Sequence, residues 1–187
     1  MNVYDFDKTV YYPDSSFHFF LYCLKKYPAA VLPVLPKSLL PAIRYKQGKI
    51  GAKILKQQLF SYLGRLEDTD RTVAEFWKSH RRHLQSWYLR QKREDDLIIS
   101  ASPEFLLAPI AEELGVRLIA TRMDRGSGRI EGENCHDVEK LRRFRIECPG
   151  LTIENFYSDS LSDSPLAEQA QHAFLVNKEK LNPWPDK

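Results

Sequence analysis

The amino-acid sequence predicts an α/β protein, in which helices flank a parallel sheet of buried strands and a helical unit follows the first strand. Short apolar runs lie just before Asp5 and at residues 97–99, 116–121 and 152–157. Such runs are typical of buried parallel strands. Helical patterns alternate with these runs after residue 96, as they do in α/β proteins. Residues from about 14 to 92 contain helical patterns and no convincing strand pattern, which predicts an inserted helical unit.

Length and composition indicate a soluble globular protein. The chain has 187 residues, which is enough for one domain or for a core domain that carries a sub-domain. Hydrophobic residues make up 43% and charged residues 28%, which argues against a disordered or fibrous chain. The net charge of +3 is compatible with an anionic substrate, but it is too small to indicate a nucleic-acid-binding protein without a concentrated basic face.

Cysteine usage and the N-terminus predict a cytoplasmic location. The three cysteines show no regular spacing, which indicates free thiols in a reducing compartment. The N-terminus is strand-like and acidic, unlike the basic and then apolar start of a secretory signal. The sequence carries no indication of the oligomeric state.

Three helices are predicted with clear limits between the first and second strands. The first runs from about residue 14 to 27, because Asp14 offers an N-cap and Pro28 stops the helix. The second covers residues 50–63. The third is the longest and covers about residues 70–92, with its apolar side chains on one face.

The most apolar stretch of the chain covers residues 28–43 and contains four prolines and Lys37. It is too short and too interrupted for a membrane-spanning helix. We expect a loop-and-helix piece of the sub-domain core, and a peripheral membrane contact through this segment is the alternative.

The second half of the chain should complete the sheet. The elements expected there are a helix opened by Ser102 and Pro103, a small hairpin at residues 123–134, a helix starting at Asp137, a helix over residues 165–172, and a last strand at 174–176. Trp184 is expected to anchor the extended C-terminal tail to the body.

Polar side chains that can carry chemistry follow three of the predicted strands. Asp5 and Asp7 follow the first strand, Ser100 follows the second, and Asp159 and Asp163 follow the strand at residues 152–157. Ligands collect at the carboxyl ends of strands in an open parallel sheet. Four carboxylates gathered there repel one another, and a hard cation such as Mg²⁺ offsets that repulsion.

Lys140 is the most informative single residue. It lies three positions after Asp137, in a first helical turn, where the helix dipole disfavours a cation. A solvent-exposed lysine is the simplest interpretation of Lys140 by itself. Together with the four aspartates, an ammonium group that holds a phosphate and the acid pair is the better one.

These motifs, in this order, resemble the haloacid dehalogenase (HAD) superfamily of phosphatases. Residues 5–9 match its DxDxT motif, residues 98–100 its strand ending in Ser or Thr, Lys140 its lone lysine, and Asp159 with Asp163 its acidic motif. The helical insert resembles the cap of the phosphoserine-phosphatase-like subgroup, subfamily IB. The resemblance implies a three-layer, Rossmann-like core domain at residues 1–13 and 94–187, with a helical cap domain at residues 14–93.

The resemblance also implies a role for each residue. Asp5 would be the nucleophile that forms an aspartyl-phosphate, and Asp7 the general acid and base. Mg²⁺ would be held by Asp5, the backbone carbonyl of Asp7 and Asp159, with Asp163 in support. Residues that would bind the phosphate of a small phosphorylated substrate are Ser100, Ala101 and Lys140.

The sequence departs from phosphoserine phosphatases at the position that recognises the amino group of their substrate. Phosphoserine phosphatases carry a Glu soon after the first motif, whereas the nearest candidate here is Asp14. Asp7 argues against carbon–halogen chemistry, because dehalogenating relatives lack the second aspartate. The leading interpretation is a Mg²⁺-dependent phosphatase. The alternatives are a phosphotransferase or phosphomutase that uses the same nucleophile, and a non-catalytic α/β protein that binds nucleic acid through basic helices.

Overall fold

The fold is built on one six-stranded sheet with the strand order β3-β2-β1-β4-β5-β6. A computed structural model describes residues 1–185 of the chain. The strands are β1 (Asn2–Tyr4), β2 (Leu97–Pro103), β3 (Arg117–Thr121), β4 (Ile153–Ser158), β5 (Ala170–Asn177) and β6 (Lys180–Pro183). The first five strands are parallel, and only β6 is antiparallel to its neighbour β5. The predicted α/β fold class is therefore confirmed.

Helices cover both faces of the sheet. The helices are α1 (Ser15–Lys26), α2 (Pro28–Val31), α3 (Leu35–Lys46), α4 (Ala52–Phe60), α5 (Thr69–His80), α6 (Ser86–Gln91), α7 (Glu104–Leu114), α8 (Val138–Glu147) and α9 (Ser164–Ala167). The first six lie between β1 and β2, where the sequence predicts the helical insert.

The alternation of side chains along the strands produces two hydrophobic cores. On β1, Val3 faces one core while Tyr4 faces the other. The core around Tyr4 includes residues of α1, α5, α6 and α7, and the core around Val3 includes residues of α8 and α9. The molecule is thus a three-layer sandwich of helix, sheet and helix. Trp184 packs against Phe156 in the second core, with 5.9 Å between ring centroids, as expected for the anchored tail.

The predicted long helix over residues 70–92 is wrong. The α5 helix ends at His80, a 3₁₀ turn covers Arg81–His83, and α6 begins at Ser86. The break is occupied by the segment that follows β1. The N–H of Tyr12 donates to the carbonyl of His83 at 3.0 Å, and the N–H of Gln85 donates to the carbonyl of Val10 at 2.8 Å. These hydrogen bonds replace helical ones.

Two predictions for the C-terminal half also need correction. The helix expected over residues 165–172 is limited to Ser164–Ala167, because the chain from Ala170 onward pairs with β4 and extends the predicted last strand toward its N-terminus. The expected hairpin at residues 123–134 is shorter than predicted. It has one antiparallel bridge, between Met123 and Ile130, with backbone hydrogen bonds of 2.8 Å on either side of it.

The apolar segment at residues 28–43 forms α2, a 3₁₀ turn and most of α3. Within residues 1–185, no helix is both long enough and apolar enough to cross a bilayer. The exposed large hydrophobic residues of this region are Leu32, Leu35, Leu39, Leu40, Ile43 and Tyr45. The three cysteines are free and buried.

Candidate active site

The predicted site residues come together in one pocket of about 280 Å³. It lies at the carboxyl ends of β1, β2 and β4. Ser100 is predicted to follow the second strand, but it lies within β2, which continues to Pro103. The sequence-predicted residues that line it are Asp5, Asp7, Ser100, Ala101, Lys140, Asp159 and Asp163. The order of the strands explains this convergence, because β1 lies between β2 and β4 and all three run in the same direction.

Asp5 follows the last residue of β1 and is 8% exposed. Its N–H donates to the carbonyl of Tyr157 at 2.8 Å, which continues the pairing of β1 with β4. Its Oδ1 accepts a hydrogen bond from Lys140 Nζ at 2.6 Å. Burial raises the pKa of Asp5 to about 8. The positive charge of Lys140 opposes this rise, and the negative charges of Asp163 and Asp7 add to it.

Lys140 lies inside the protein rather than on the surface, and it is 2% exposed. Its Nζ donates to Asp5 Oδ1 and, at 2.7 Å, to Asp163 Oδ2. The Asp163 oxygen also accepts a hydrogen bond from Ser158 Oγ at 2.7 Å. Burial by itself lowers the pKa of Lys140, but the two carboxylates outweigh it and the net pKa shift is upward. The ammonium group therefore stays charged between two acids.

Asp7 is held by two donors. Its Oδ1 accepts from the N–H of Ser15 at 2.6 Å, and its Oδ2 accepts from Ser102 Oγ at 2.5 Å. Burial raises the pKa of Asp7 to about 6, with Asp14 adding to the rise and the hydrogen bonds from Ser102 and Ser15 opposing it. A carboxyl group with this pKa can give and take a proton near neutral pH.

Ser100 and Ala101 lie where β2 becomes irregular. The pairing register between β2 and β3 shifts between Ser100 and Pro103. Ser100 is buried, and its Oγ accepts a hydrogen bond from the N–H of Ser102 at 3.0 Å. The carbonyl of Ala101 accepts from Thr121 Oγ1 and from Lys56 Nζ, each at 2.7 Å.

Asp159 follows β4 and faces the same pocket as Asp5. Lys8 Nζ lies 3.9 Å from its Oδ2. Burial raises the pKa of Asp159, while the positive charge of Lys8 opposes the rise. The raised pKa values of three pocket carboxyl groups have one physical cause, which is that acids have been removed from water beside other acids.

The donor set fits a magnesium ion. Its members are carboxylate and carbonyl oxygens, which are the ligands that Mg²⁺ takes. Asp163 Oδ1 is buried and has no hydrogen-bond partner within residues 1–185, so the acid cluster retains an unsatisfied acceptor. Side chains in that range form no group of three His, Cys, Asp or Glu residues arranged to hold a metal. The set implied by the resemblance needs only Asp5, Asp159 and the carbonyl of Asp7.

Two pocket residues, Ser102 and Lys56, make contacts that the sequence does not predict. The sequence predicts Ser102 as part of a helix start, whereas Pro103 is the N-cap of α7 and the Ser102 hydroxyl binds Asp7. Lys56 is one of several lysines in the helical insert that could attract an anion. The structure distinguishes it, because its ammonium reaches the pocket and also donates to Asn134 Oδ1 at 2.9 Å.

Comparison with known proteins gives the same family. The sequence model of the haloacid dehalogenase-like hydrolases matches residues 3–168. The chain is 30% identical to the protein CicA of Caulobacter vibrioides over 179 residues, which covers 87% of this chain and 79% of CicA. It is also 35% identical to a probable phosphatase of Mycobacterium tuberculosis over 94 residues, or 46% of this chain. That match spans only 33% of the length of the mycobacterial protein.

Solved structures share the fold. A protein of unknown function from Bordetella pertussis superposes with a TM-score of 0.75 at 25% identity, covering 92% of this chain and 87% of the other. A phosphoserine phosphohydrolase-like protein from Francisella tularensis superposes with a TM-score of 0.56 at 19% identity, covering 92% and 86%. The family match extends over most of the chain and includes the residues that line the acidic pocket up to Asp163. The chain therefore belongs to the haloacid dehalogenase-like hydrolase family.

Proposed function

We propose that this protein is a phosphatase that hydrolyses a phosphomonoester through an aspartyl-phosphate on Asp5. The observation that carries the proposal is the buried contact between Lys140 and Asp5, beside a second acid, Asp7, with a pKa of about 6. A carboxylate next to an ammonium can face the negative oxygens of a phosphoryl group. A neighbouring acid that titrates near neutral pH can serve the leaving group.

The proposed reaction has two steps. The Asp5 carboxylate attacks phosphorus, the bond from phosphorus to the leaving oxygen breaks, and protonated Asp7 gives its proton to that oxygen. A water molecule then attacks the same phosphorus and loses a proton to Asp7. The bond between Asp5 and phosphorus breaks, which releases inorganic phosphate and restores both residues.

Binding of the phosphoryl group is assigned to residues of the same pocket. Lys140 presents its ammonium, Ser100 its hydroxyl and Ala101 its backbone to the bound phosphoryl group. The carboxylates of Asp5 and Asp159 with the carbonyl of Asp7 would hold Mg²⁺, with Asp163 in support. When bound, the cation would offset the repulsion between the phosphoryl oxygens and the carboxylates.

The helical insert is proposed to act as a cap. In this division, residues 14–93 are the cap domain, and residues 1–13 and 94–187 are the core domain. Three hydrogen bonds support a closed arrangement. Lys56 Nζ reaches the carbonyl of Ala101, Thr69 Oγ1 donates to the carbonyl of Arg125 at 3.0 Å, and Trp77 Nε1 donates to that of Leu106 at 2.7 Å.

The test measures release of inorganic phosphate from a panel of serine, sugar, nucleotide and lipid phosphates. Asp5→Asn should remove the activity and leave the fold intact, because Asn keeps the size of the side chain and loses the nucleophilic charge. Chelation of Mg²⁺ should also remove it. Asp95→Asn is the matched control, since Asp95 is an exposed acid that lies outside the pocket and should leave turnover unchanged. Full activity in Asp5→Asn would overturn the proposal.

The same panel separates the alternative functions. Transfer of the phosphoryl group to an added alcohol at the expense of phosphate release would indicate a phosphotransferase or phosphomutase. Salt-sensitive binding to nucleic acid with no turnover on the panel would indicate a binding protein.

A further inference from the structure

A second pocket, of about 340 Å³, lies directly beside the acidic one and is apolar. Its walls come from α1, α3 and α4. The large side chains that line it are Phe17, Phe20, Tyr45, Leu55, Leu59 and Phe60. Its volume falls within the range of small-molecule sites, which are mostly apolar with a few placed polar groups.

The two pockets share part of their walls. Asp14, Ser16 and Lys56 line both. A molecule whose phosphoryl group lies in the acidic pocket can therefore extend past these three residues into the apolar one.

The shared polar side chains already have partners within the protein. Asp14 Oδ1 accepts from the N–H of Phe17 at 2.8 Å, and Ser16 Oγ is 2.6 Å from Ser102 Oγ. Lys56 Nζ is bonded to Ala101 and Asn134. A charged leaving group placed here would lose water and would compete for side chains that already have partners, which is costly. An apolar leaving group would gain from burial instead.

The exposure of Phe17 also favours an apolar ligand. The Phe17 side chain lines the pocket but is 56% exposed, while Phe20 packs against the core around Tyr4. A ligand in the pocket would cover this aromatic surface and release the water around it.

We propose that the apolar pocket holds the leaving group, and that the substrate is a phosphomonoester of an apolar alcohol. The inference rests on the proposed phosphatase function and adds the chemical class of its substrate. It also accounts for the missing phosphoserine signature, because a substrate of this class has no amino group for Asp14 to read.

The test uses two measurements. The first is kcat/KM for phosphate release from ethyl, butyl and hexyl phosphate, with phosphoserine as the polar comparison. Each added methylene should raise kcat/KM by roughly threefold to fourfold until the pocket is full. The second is calorimetric binding of ethylphosphonate and hexylphosphonate, which cannot be hydrolysed and therefore report on the pocket without turnover.

Phe17→Asp places a charge in the pocket and should lower the hexyl-to-ethyl ratio, in both measurements, by roughly tenfold or more. Ile54→Asp is the matched control. Ile54 is 51% exposed on α4 and lies outside the pocket, so the substitution makes the same chemical change on the same cap. It should leave the ratio unchanged.

The outcomes separate the two proposals. Turnover that does not depend on chain length, with equal binding of both phosphonates, would overturn the pocket assignment and leave the phosphatase function standing. Tighter binding of hexylphosphonate without phosphate release from any ester would overturn the function and support the pocket.

One further arm identifies the source of the substrate. Faster turnover of phosphatidic acid in phosphatidylcholine vesicles than of dissolved hexyl phosphate would support a membrane lipid as the source. The reverse order would support a soluble ester. Both results support an apolar leaving group, and preference for phosphoserine over hexyl phosphate would contradict it.

Discussion

Lys140 Nζ lies 2.6 Å from Asp5 Oδ1, although 135 positions of the chain separate the two residues. The contact joins the residue after β1 to the first turn of α8. It is buried on both sides, and Asp163 from a third element completes it. Removing one member of a buried charged group leaves the other charges uncompensated, which costs more than breaking a surface ion pair.

Lys140→Met should therefore lower the free energy of unfolding by about 3 kcal/mol at neutral pH. Urea denaturation followed by circular dichroism measures this difference. Lys37→Met is the control, since Lys37 is exposed on α3 and the same substitution there should cost less than about 0.5 kcal/mol. Equal stability of the two variants would contradict a structural role for the buried ammonium.

The pKa of Asp5 predicts how magnesium and pH act together. The folded protein without metal holds a proton on Asp5 up to about pH 8, whereas the usual pKa is 3.8. The native state thus binds more protons than the unfolded state, and stability should fall as pH rises toward 8. We expect the melting temperature in EDTA to be lower at pH 8 than at pH 7. Mg²⁺ should raise it more at pH 8, because the ligands must be ionised to bind.

Asp5→Asn is the control for this pH effect. It removes the titrating carboxyl group, so the decline between pH 7 and pH 8 in EDTA should become smaller. His18 and His80 contribute little in this window, because burial lowers the pKa of each from 6.5. A decline of the same size in both proteins would show that another group is responsible.

Ser102 should lower the pKa of Asp7, the proposed general acid. Ser102→Ala removes a donor to the Asp7 carboxylate, so the pKa of Asp7 should rise above about 6. In the proposed mechanism protonated Asp7 gives its proton to the leaving group. The limb of the pH–rate profile on which activity falls with rising pH should therefore move to higher pH. A shift of about one pH unit is expected, given that a hydrogen bond to a charged group contributes 1.5–3 kcal/mol.

The matched control is Ser79→Ala, which removes a hydroxyl that donates to the carbonyl of Phe76 at 3.1 Å on α5. The profile of this variant should superpose on that of the unaltered protein. A lower rate for Ser102→Ala with an unmoved limb would mean that the serine supports the fold and leaves the Asp7 pKa untouched.

Part of this site could be predicted from the sequence. Its residues follow recognisable apolar runs, and the ends of parallel strands lie at the same edge of a sheet. Asp5, Ser100 and Asp159 each follow an apolar run, and parallel strands place such residues at one edge. Each position needs only its own neighbours in sequence to be recognised. The rule then brings the strand ends together without any knowledge of side-chain contacts.

Long-range contacts explain what could not be predicted. The helix expected to continue past His80 stops because Val10 and Tyr12 take the backbone hydrogen bonds of residues 83 and 85, and no local signal marks that site. The role of Ser102 also depends on a long-range contact. Its partner Asp7 is 95 positions away in the chain, so the local sequence around Ser102 and Pro103 predicts only the start of a helix.

Among the lysines of the helical insert, Lys56 should contribute most to substrate binding. Lys56→Met removes the ammonium that joins α4 to Ala101 and lines both pockets, and we expect KM to rise about tenfold with a smaller change in kcat. Lys53→Met is the control on the same helix. Lys53 also contacts the loop after β3, through Glu133 at 3.1 Å. This pair is partly exposed and lies outside both pockets. Equal KM values for the two variants would place Lys56 outside the binding machinery.

The loop after β3 should limit how closely the helical insert approaches the rest of the protein. Gly128 has φ +76°, and a Cβ there would overlap the backbone carbonyl of Phe60 at the end of α4. Gly132 has nearly the same φ, +79°, but a Cβ there would meet nothing within 4 Å. Gly132→Ala therefore measures the cost of the left-handed backbone, about 1–2 kcal/mol.

Gly128→Ala should carry that same cost and a further 1–3 kcal/mol or so for displacing α4. Urea denaturation of the two variants gives the difference directly. Because α4 also supplies Lys56, Leu55 and Leu59 to the pocket walls, Gly128→Ala should in addition raise KM while Gly132→Ala leaves it unchanged. Equal stability and equal KM in the two variants would mean that the contact between this loop and α4 does not hold the cap in position.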